Sequence, residues 1–370
     1  MRLYLLLCFC FFSLTCLSQK FHLFVGTYTG SGSKGIYVCQ FDASSGKVTQ
    51  LGSTDSAVNP SYLALSPDGR YLYSVNETNH GSVSSYFFDP QNATLSFISK
   101  QLTDGGSPCY VTVDKTGKWL FAANYGGGSA TAFPLEANGQ IRPYAQLLQD
   151  SGKGFDPRRQ SKPHVHSAML SPDEKYLFTP DLGLDKIMIY KFKPMAQKPL
   201  SPGNPAFQTV KPGYGPRHLA FHPNNKYVYL ITEMGGAVIA FKYGNGKFTT
   251  IQNINAHPED YSGTPGSADI HVSPDGNYLY ASNRGDENNI AIFSIDKNTG
   301  KLQLKGYQST LGKNPRNFVI DPTGNYLLVA NQDTNNIVVF KIDKGSGMLE
   351  KTGDEIEIPK PVCLKMEPVK

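Results

Sequence analysis

The sequence predicts an all-β fold, a seven-bladed β-propeller of four-stranded antiparallel blades, and two observations support this prediction. An apolar strand, a Pro-Asp-Gly-like turn and an aromatic-rich strand recur in this order along most of the 370 residues. The chain also contains 21 Tyr, 21 Phe, 36 Gly and 25 Pro, which favours many short strands joined by tight turns. The long helical patterns that a Rossmann or barrel fold needs between its strands are not visible.

The repeat has six clear copies, and each copy has a turn that serves as its anchor. Two of the copies are SYLALSPDGRYLYSVNE and ADIHVSPDGNYLYASNR, and successive copies begin roughly 50 residues apart, which is the period of propeller blades. Each copy continues with further strand signals such as NIAIFSID, which indicates four strands per blade. Six or eight blades are the alternatives to seven. The anchors are Pro67, Lys115, Pro172, Pro223, Pro274 and Pro322.

A seventh, incomplete copy lies at the C-terminus, with Pro368 as its anchor, where residues 362–368 supply a first strand before the chain ends. Its missing partners resemble the segments HLFVGTYTG and GIYVCQFD near the N-terminus. We therefore predict that strands from both termini share one blade, which closes the ring and removes its free edges. Residues 20–370 then form a single domain.

The first residues have the layout of a signal peptide. A positive charge is followed by an apolar run over residues 4–12 and then by small and polar residues. We expect residues 1–19 to be removed and the protein to be exported to the periplasm or the extracellular space. A lipoprotein anchored at Cys16 is the less favoured alternative. The apolar run is too short to span a bilayer comfortably, and no other segment is long enough, so we expect no stable membrane span.

Charge and cysteine content disfavour several classes of function. The formal net charge is +5 and evenly spread, which gives no support for nucleic-acid binding. Beyond the leader the cysteines are Cys39, Cys109 and Cys363, widely spaced and without a C-x-x-C motif, so we expect buried free thiols. No compact ligand motif predicts a metal, and no cofactor is expected. The oligomeric state is left open.

The register of the repeat predicts which side chains meet at one end of the central channel. If the first strand of each blade runs beside the axis and the second returns antiparallel, residues well before and well after the turn lie at the same mouth. Six residues before the anchors are Ser61, Cys109, His166, Arg217, Ala268, Arg316 and Val362, and ten residues after them are Glu77, Tyr125, Leu182, Glu233, Arg284 and Gln332.

The residue types at this mouth predict a binding site. A position that only packs against the axis should be apolar or small, yet His166, Arg217 and Arg316 occupy it. The rim adds Glu233 and other charged groups. The planar guanidinium group of arginine can form two parallel hydrogen bonds with a carboxylate or a phosphate. We therefore predict a small anionic or hydroxyl-rich ligand. The alternative is a set of salt bridges between blades that line a water-filled channel.

Other polar residues have simpler interpretations. The longest interval between anchors contains SGKGFDPRRQSKPHVHS, and its basic residues could form a rim that attracts an acidic substrate or merely a solvated loop. The Asn residues Asn76, Asn124, Asn283 and Asn331 are predicted to cap strand ends or turns. The histidines His218, His222 and His271 are predicted to be core or turn residues. The basic residues of the long interval are Arg158, Arg159, Lys162 and His164.

The chain resembles the lactonase family of seven-bladed propellers, which includes bacterial 6-phosphogluconolactonases and fungal carboxymuconate-lactonizing enzymes. The resemblance covers residues 21–368, and its most specific segments are FVGTYT, HVHSAMLSPD, GPRHLAFHP, the stretch ending in Thr232-Glu233, SADIHVSPDG with Asn283-Arg284, and NPRNFVIDPTGNYL. The family's proposed active site consists of one His, two Arg and one Glu. Matching the motifs places these on His166, Arg217, Glu233 and Arg284.

The resemblance implies hydrolysis of a sugar-derived lactone to its hydroxy acid. His166 or Glu233 would be the general base, and Arg217 and Arg284 would polarise the carbonyl group or hold the acid group. The substrate would resemble 6-phosphogluconolactone or be an unphosphorylated aldonolactone, because the predicted export puts a phosphorylated cytoplasmic substrate in doubt. The residues predicted to bind substrate are Arg316, Glu77, Asp269 and His164.

Two other functions stay open at this point. A muconate-type lactonizing cycloisomerase needs the same arginine clamp and one proton donor, so the sequence does not separate it from a hydrolase. A non-catalytic propeller that binds carbohydrate or protein in the cell envelope is the third hypothesis. A covalent serine mechanism is disfavoured, because no Gly-x-Ser-x-Gly motif is present.

Overall fold

The computed structural model describes residues 19–369, and the regular elements within that range are all β-strands. They form seven separate four-stranded antiparallel sheets, which are the blades of a propeller. The predicted fold class, blade number and strand count per blade are therefore confirmed. The predicted signal peptide lies almost entirely outside the described residues.

The first four blades are built from strands β1 to β15 and β28. Blade 1 contains β28 (Pro361–Pro368), β1 (Lys20–Thr27), β2 (Ile36–Asp42) and β3 (Lys47–Thr54). Blade 2 contains β4 (Leu63–Leu65), β5 (Tyr71–Asn76), β6 (Ser82–Asp89) and β7 (Thr94–Leu102). Blade 3 contains β8 (Pro108–Val113), β9 (Trp119–Asn124), β10 (Ser129–Pro134) and β11 (Gln146–Gln149). Blade 4 contains β12 (Met169–Leu170), β13 (Tyr176–Asp181), β14 (Lys186–Phe192) and β15 (Leu200–Thr209).

The remaining three blades follow in chain order. Blade 5 contains β16 (Pro216–Phe221), β17 (Tyr227–Thr232), β18 (Ala237–Gly244) and β19 (Lys247–Asn255). Blade 6 contains β20 (Ser267–Val272), β21 (Tyr278–Asn283), β22 (Asn289–Ile295) and β23 (Leu302–Ser309). Blade 7 contains β24 (Pro315–Ile320), β25 (Tyr326–Asn331), β26 (Asn336–Ile342) and β27 (Leu349–Glu357). The first strands of neighbouring blades contact each other, as β16 does with β20, so they surround the axis.

The two termini close the ring in blade 1. Strand β28 pairs antiparallel with β1, with Leu23 opposite Met366 and Val25 opposite Leu364. The side chains of Cys363 and Leu364 are buried, and the backbone N–H of Leu364 donates to Oδ1 of Asn317 in blade 7 at 2.7 Å. The predicted shared blade is confirmed: β1 is paired on both sides, by β28 and β2, and β28 is the innermost strand of the blade.

The aromatic-rich second strands pack each blade against the next one. The hydroxyl of Tyr229 donates to the carbonyl of Gly300 at 3.1 Å, and that of Tyr280 donates to the carbonyl of Gly347 at 2.9 Å. Both glycines have positive φ, 72° and 77°, and a Cβ on Gly347 would contact the ring of Tyr278. The tyrosines and turn glycines of the repeat are therefore matched parts of one contact between blades.

A β-bulge interrupts several inner strands near the mouth. The pairing ladders of β8, β16 and β24 each skip one residue, and the skipped residues are Cys109, Arg217 and Arg316. These residues occupy the position six before the turn anchor. A bulge leaves one residue outside the ladder and re-aims its side chain, so the backbone directs these groups toward the channel.

Candidate functional site

The polar residues predicted for the mouth meet at a cavity of about 230 Å³. The cavity lies at the end of the channel opposite the Pro-Asp-Gly turns, as the register predicted. All seven blades contribute to its wall, mostly with residues that lie just beyond the ends of strands. Its lining residues are Tyr28, Glu77, Cys109, Tyr125, His166, Glu233, Arg284 and Arg316.

Glu233 is the centre of one wall of this cavity. Its Oε1 accepts a hydrogen bond from Nη2 of Arg159 at 2.7 Å. Its Oε2 lies 3.0 Å from Nε of Arg217 and 3.2 Å from Nη2 of Arg284. The same oxygen is 3.9 Å from Nε2 of His166. The fold therefore brings together the four residues that the family resemblance pointed to.

The charges around Glu233 determine its protonation and that of His166. Burial by itself would raise the pKa of Glu233, but the positive charges of Arg284, Arg217 and Arg159 lower this pKa to about 2. Burial, together with the positive charge of Arg217, lowers the pKa of His166 well below 6.5. At neutral pH the site therefore contains an ionised Glu233 and a neutral His166.

Arg217 lies beneath the cavity. Its side chain is 1% exposed, and it lines a small space of about 10 Å³ below the cavity floor. Nη1 of Arg217 donates to the carbonyl of Ala268, while Nε binds Glu233. Burial and the like charges of Arg284 and Arg316 lower the pKa of Arg217 to about 10, which leaves it protonated at neutral pH. Its contacts position Glu233 from below.

Arg284 and Arg316 are the guanidinium groups that line the cavity itself. Nε of Arg284 donates to the carbonyl of Gly266 at 2.8 Å, so backbone and Glu233 hold this side chain from two directions. The guanidinium of Arg316 lies over the ring of Tyr28, 5.5 Å from its centroid. Arg284 is therefore held in place before any ligand binds, and the positive charge of both groups suits them to stabilise negative charge.

A second carboxylate, Glu77, lines the cavity together with Tyr28. Oε2 of Glu77 accepts hydrogen bonds from the hydroxyl of Tyr28 at 2.9 Å and from the hydroxyl of Ser61. Nη2 of Arg316 is 4.0 Å from the same oxygen. Burial raises the pKa of Tyr28, so its hydroxyl remains a hydrogen-bond donor.

Sequence analysis missed Tyr28, although a signal for it exists. In blade 1 the pair Pro361 and Thr27 corresponds to Pro108 and Asn124 in blade 3. Tyr28 is therefore the blade 1 equivalent of the rim residues ten places after each anchor. The anchor of blade 1 lies near the C-terminus, whereas Tyr28 lies near the N-terminus. The offset of ten residues after the anchor therefore cannot be counted along the chain in this blade.

The comparison with known families agrees with this fold. Residues 22–366 match the family described as lactonase, 7-bladed beta-propeller. The chain belongs to this family. A 6-phosphogluconolactonase of Formosa agariphila is 41% identical over 84% of this chain and 89% of its own length. A 6-phosphogluconolactonase of Bacillus subtilis is 37% identical over 94% of this chain and 98% of its own length.

A solved structure of the family is similar over nearly the whole chain. The periplasmic gluconolactonase of Pseudomonas aeruginosa superposes with a TM-score of 0.90 at 38% identity, covering 95% of this chain and 100% of that structure. Within residues 19–369 of this lactonase-family protein, no helix has the length and apolar character required to cross a membrane.

Two residues predicted to bind substrate lie outside the cavity lining. Asp269 is buried one layer deeper, where it binds Nδ1 of His218 at 2.8 Å, Nε2 of His271 at 3.0 Å and the amide of Asn317. His164 stacks on Tyr125 at the rim, with 4.4 Å between ring centroids. His218 and His271 are thus internal hydrogen-bonding residues, as predicted for these histidines.

The long connection between blades 3 and 4 brings one basic residue into the site. Arg159 is 46% exposed yet pairs with Glu233, whereas Nζ of Lys162 donates to the carbonyl of Gly126 at 2.8 Å. Gln160 is buried, and its amide donates to the carbonyl of Leu182 at 2.8 Å. The predicted basic rim therefore contributes Arg159 to the site from an anchored turn.

The ends of this connection are held by a buried pair of carboxyl groups, Asp150 and Asp181. Burial raises the pKa of Asp150, and it raises that of Asp181 to about 7, assisted by the neighbouring Asp150. The Oδ2 atoms of both residues are buried and make no hydrogen bond within the described chain. Oδ1 of Asp181 accepts from the backbone N–H of His164 at 2.8 Å. Burial and the neighbouring carboxyl group therefore favour the protonated form of Asp181 in the folded state below about pH 7.

This pair predicts a pH dependence of stability. Because the folded pKa of Asp181 is raised above the unfolded value of roughly 3.9, stability is lost as the pH rises from about 4 to about 7. Asp181→Asn removes this loss and can still hydrogen-bond Asp150. We expect its melting temperature to exceed that of the parent by an amount that grows over this pH interval, equivalent to about 1–3 kcal/mol.

Thermal melts at acidic, neutral and mildly alkaline pH measure this difference. Asp260→Asn, which changes an exposed carboxylate, is the matched control and should show no such trend. A melting-temperature difference for Asp181→Asn that stays constant across the interval would contradict the raised pKa of Asp181.

Proposed function

We propose that this protein hydrolyses a sugar-derived lactone to the corresponding hydroxy acid. The main support is a preorganised Arg284, held by Glu233, in a cavity of about 230 Å³ that also contains Arg316 and His166. Lactone hydrolysis develops negative charge on the carbonyl oxygen, and fixed guanidinium groups stabilise such charge. Relatives named 6-phosphogluconolactonase, at 37% and 41% identity, support the same activity.

The four residues of the Glu233 wall have different roles in this proposal. Arg284 contacts the carbonyl oxygen of the lactone, and Glu233 keeps its guanidinium in place. His166 is neutral, so it forms a hydrogen bond with the substrate without adding charge. Arg217 acts through Glu233, because it lies below the cavity floor.

Glu233 is poorly suited to the role of general base that the sequence left open for it. Both of its oxygens are paired with guanidinium groups, and a carboxylate with a pKa of about 2 accepts protons weakly. This carboxylate instead binds the guanidinium groups around it. We therefore assign it the alignment of the arginines.

Of the four residues that the sequence predicted to bind substrate, two line the cavity and two support it from outside the lining. Arg316 and Glu77 face the cavity and are placed to contact the hydroxyl or acid groups of the lactone. Asp269 supports the site from the layer below, because Asn317, to which it is bonded, adjoins Arg316 in the chain. His164 contributes by stacking on Tyr125 at the rim.

Two observations favour an unphosphorylated aldonolactone as the substrate. The predicted signal peptide over residues 1–19 implies an exported protein, and the similar Pseudomonas aeruginosa structure is of a periplasmic gluconolactonase. We propose a periplasmic or extracellular location on this basis. The cycloisomerase and the non-catalytic hypotheses have less support, since the similar proteins are named as lactonases.

A pH-stat assay with gluconolactone and 6-phosphogluconolactone tests this function. The parent should release acid faster than spontaneous hydrolysis, and Arg284→Gln should lower kcat/KM by roughly 100-fold, as loss of an oxyanion-stabilising donor does. Arg142→Gln, on an exposed surface, is the matched control. Equal acid release by the parent and Arg284→Gln would refute the role of Arg284 and point to background hydrolysis.

A further inference from the structure

The cavity contains two carboxylates whose surroundings differ sharply. Both oxygens of Glu233 are paired with guanidinium groups from three arginines. Glu77 instead uses Oε2 for the hydroxyls of Tyr28 and Ser61. Its Oε1 makes no hydrogen bond within residues 19–369, and Glu77 lines the cavity. One carboxylate oxygen is therefore available to a ligand or a water molecule, and it belongs to Glu77.

Lactone hydrolysis requires a group that removes a proton from water. Such a base needs a free lone pair facing the substrate and must tolerate the added proton. Glu233 lacks the free lone pair, and protonation of His166 is opposed by burial and by nearby arginines. We propose that Glu77 is the general base of this site, with Tyr28 and Ser61 as its positioning residues. This inference rests on the proposed lactonase function.

The contacts of Glu77 suit this role. The hydroxyls of Tyr28 and Ser61 hold Oε2, which leaves Oε1 as the oxygen of this cavity-lining carboxylate without a hydrogen bond within residues 19–369. Arg316 is the cation paired with Glu77, and it lies 4.0 Å away from Oε2, beyond hydrogen-bonding distance. The carboxylate is therefore oriented without being neutralised by close pairing.

Glu77 and Arg284 lie on opposite walls of the cavity, so each can act on a different part of the substrate. Glu77 comes from blade 2, whereas Glu233 and Arg284 come from blades 5 and 6. A lactone between these walls can direct its carbonyl oxygen to Arg284 and its carbonyl carbon to a water held by Glu77. This arrangement separates proton removal from stabilisation of the negative charge.

The chemical step balances without any further reactant. Oε1 of Glu77 takes a proton from water while the water oxygen bonds to the carbonyl carbon, and the carbonyl π electrons move to the oxygen beside Arg284. When the tetrahedral intermediate collapses, the bond between this carbon and the ring oxygen breaks. The proton on Glu77 passes to the departing ring oxygen. Lactone and water thus become the hydroxy acid, and Glu77 returns to its ionised form.

Two variants of the full chain test the role of Glu77. Glu77→Gln preserves shape and an oxygen that accepts from Tyr28, while Glu77→Ala leaves space for a small carboxylate. We expect both to lower kcat for gluconolactone by roughly 10²–10³-fold with KM changed by less than about threefold. Added formate should restore a large part of kcat to Glu77→Ala but not to Glu77→Gln, since the glutamine occupies the space.

Matched variants make the outcome specific. Glu233→Ala should also lose activity, because that carboxylate aligns the arginines. Glu350→Ala, on the exposed outer strand β27, should retain parental activity. Circular dichroism melts establish that each variant is folded before its kinetics are compared.

Three results would overturn the proposal for Glu77. The first is a kcat within threefold of the parent for Glu77→Gln. The second is a raised KM with unchanged kcat, which would make Glu77 a substrate-binding residue only. The third is formate rescue of His166→Ala without rescue of Glu77→Ala. A parent with no lactonase activity would instead refute the proposed function itself, so the two failures are distinguishable.

Discussion

Glu233→Gln is expected to lower kcat/KM for lactone hydrolysis by roughly 10³-fold while the propeller remains folded. The substitution keeps the shape of the side chain but removes the negative charge that Arg159, Arg217 and Arg284 share. Mutual repulsion among these guanidinium groups would then displace Arg284 from its position in the cavity. A displacement on the order of 1 Å is sufficient to weaken catalysis strongly.

The matched control for this variant is Glu350→Gln, which removes an exposed carboxylate from β27. Its kinetics should equal those of the parent. Steady-state kinetics with gluconolactone and a thermal melt of each protein are the measurements. Parental kcat/KM in a folded Glu233→Gln variant would show that the arginines keep their positions without this carboxylate.

A chain that ends after residue 360 is expected to lose its cooperative fold. The deletion removes β28, the inner strand of blade 1, and with it the buried side chains of Val362, Cys363 and Leu364. Each of these contributes about 2 kcal/mol when buried, which together approaches the whole stability of an ordinary domain. The ring would also open and expose the edges of β1 and the neighbouring blades.

The control for this deletion is a chain that ends at Pro368, which retains every pair between β1 and β28. Far-ultraviolet circular dichroism and size-exclusion chromatography measure the outcome. The longer chain should melt like the parent, and the shorter chain should aggregate or show no transition. A sharp, parent-like transition in the shorter chain would mean that ring closure is dispensable.

The sequence predicted most of the cavity because a propeller is periodic. Offsets of six residues before and ten residues after each turn identified Glu77, His166, Glu233, Arg284 and Arg316. Strand geometry makes such counting reliable, since each residue advances the chain by a constant length. The offsets failed at blade 1, where the repeat is split between the termini and Tyr28 could not be counted from its own anchor.

The sequence predicted which end of the channel a residue occupies, but not whether its side chain lines the cavity or packs beneath it. Arg217 and Arg316 have the same offset, yet Arg217 packs under the cavity and Arg316 lines it. Asp269 was expected to bind substrate, and the fold places it in the deeper layer among His218, His271 and Asn317. Side-chain direction at a bulge depends on its neighbours across the channel, which no local pattern describes.

By itself the sequence determined the all-β fold, the number of blades, the joining of the termini and the end of the channel at which charged groups meet. The physical reason is that strand patterning and turn chemistry are local and repeat at a regular interval. Only the tertiary structure decided that Glu233 is surrounded by three arginines and that Glu77 keeps a free oxygen. These states depend on distances between blades that are remote in sequence, and electrostatic interactions change steeply with such distances.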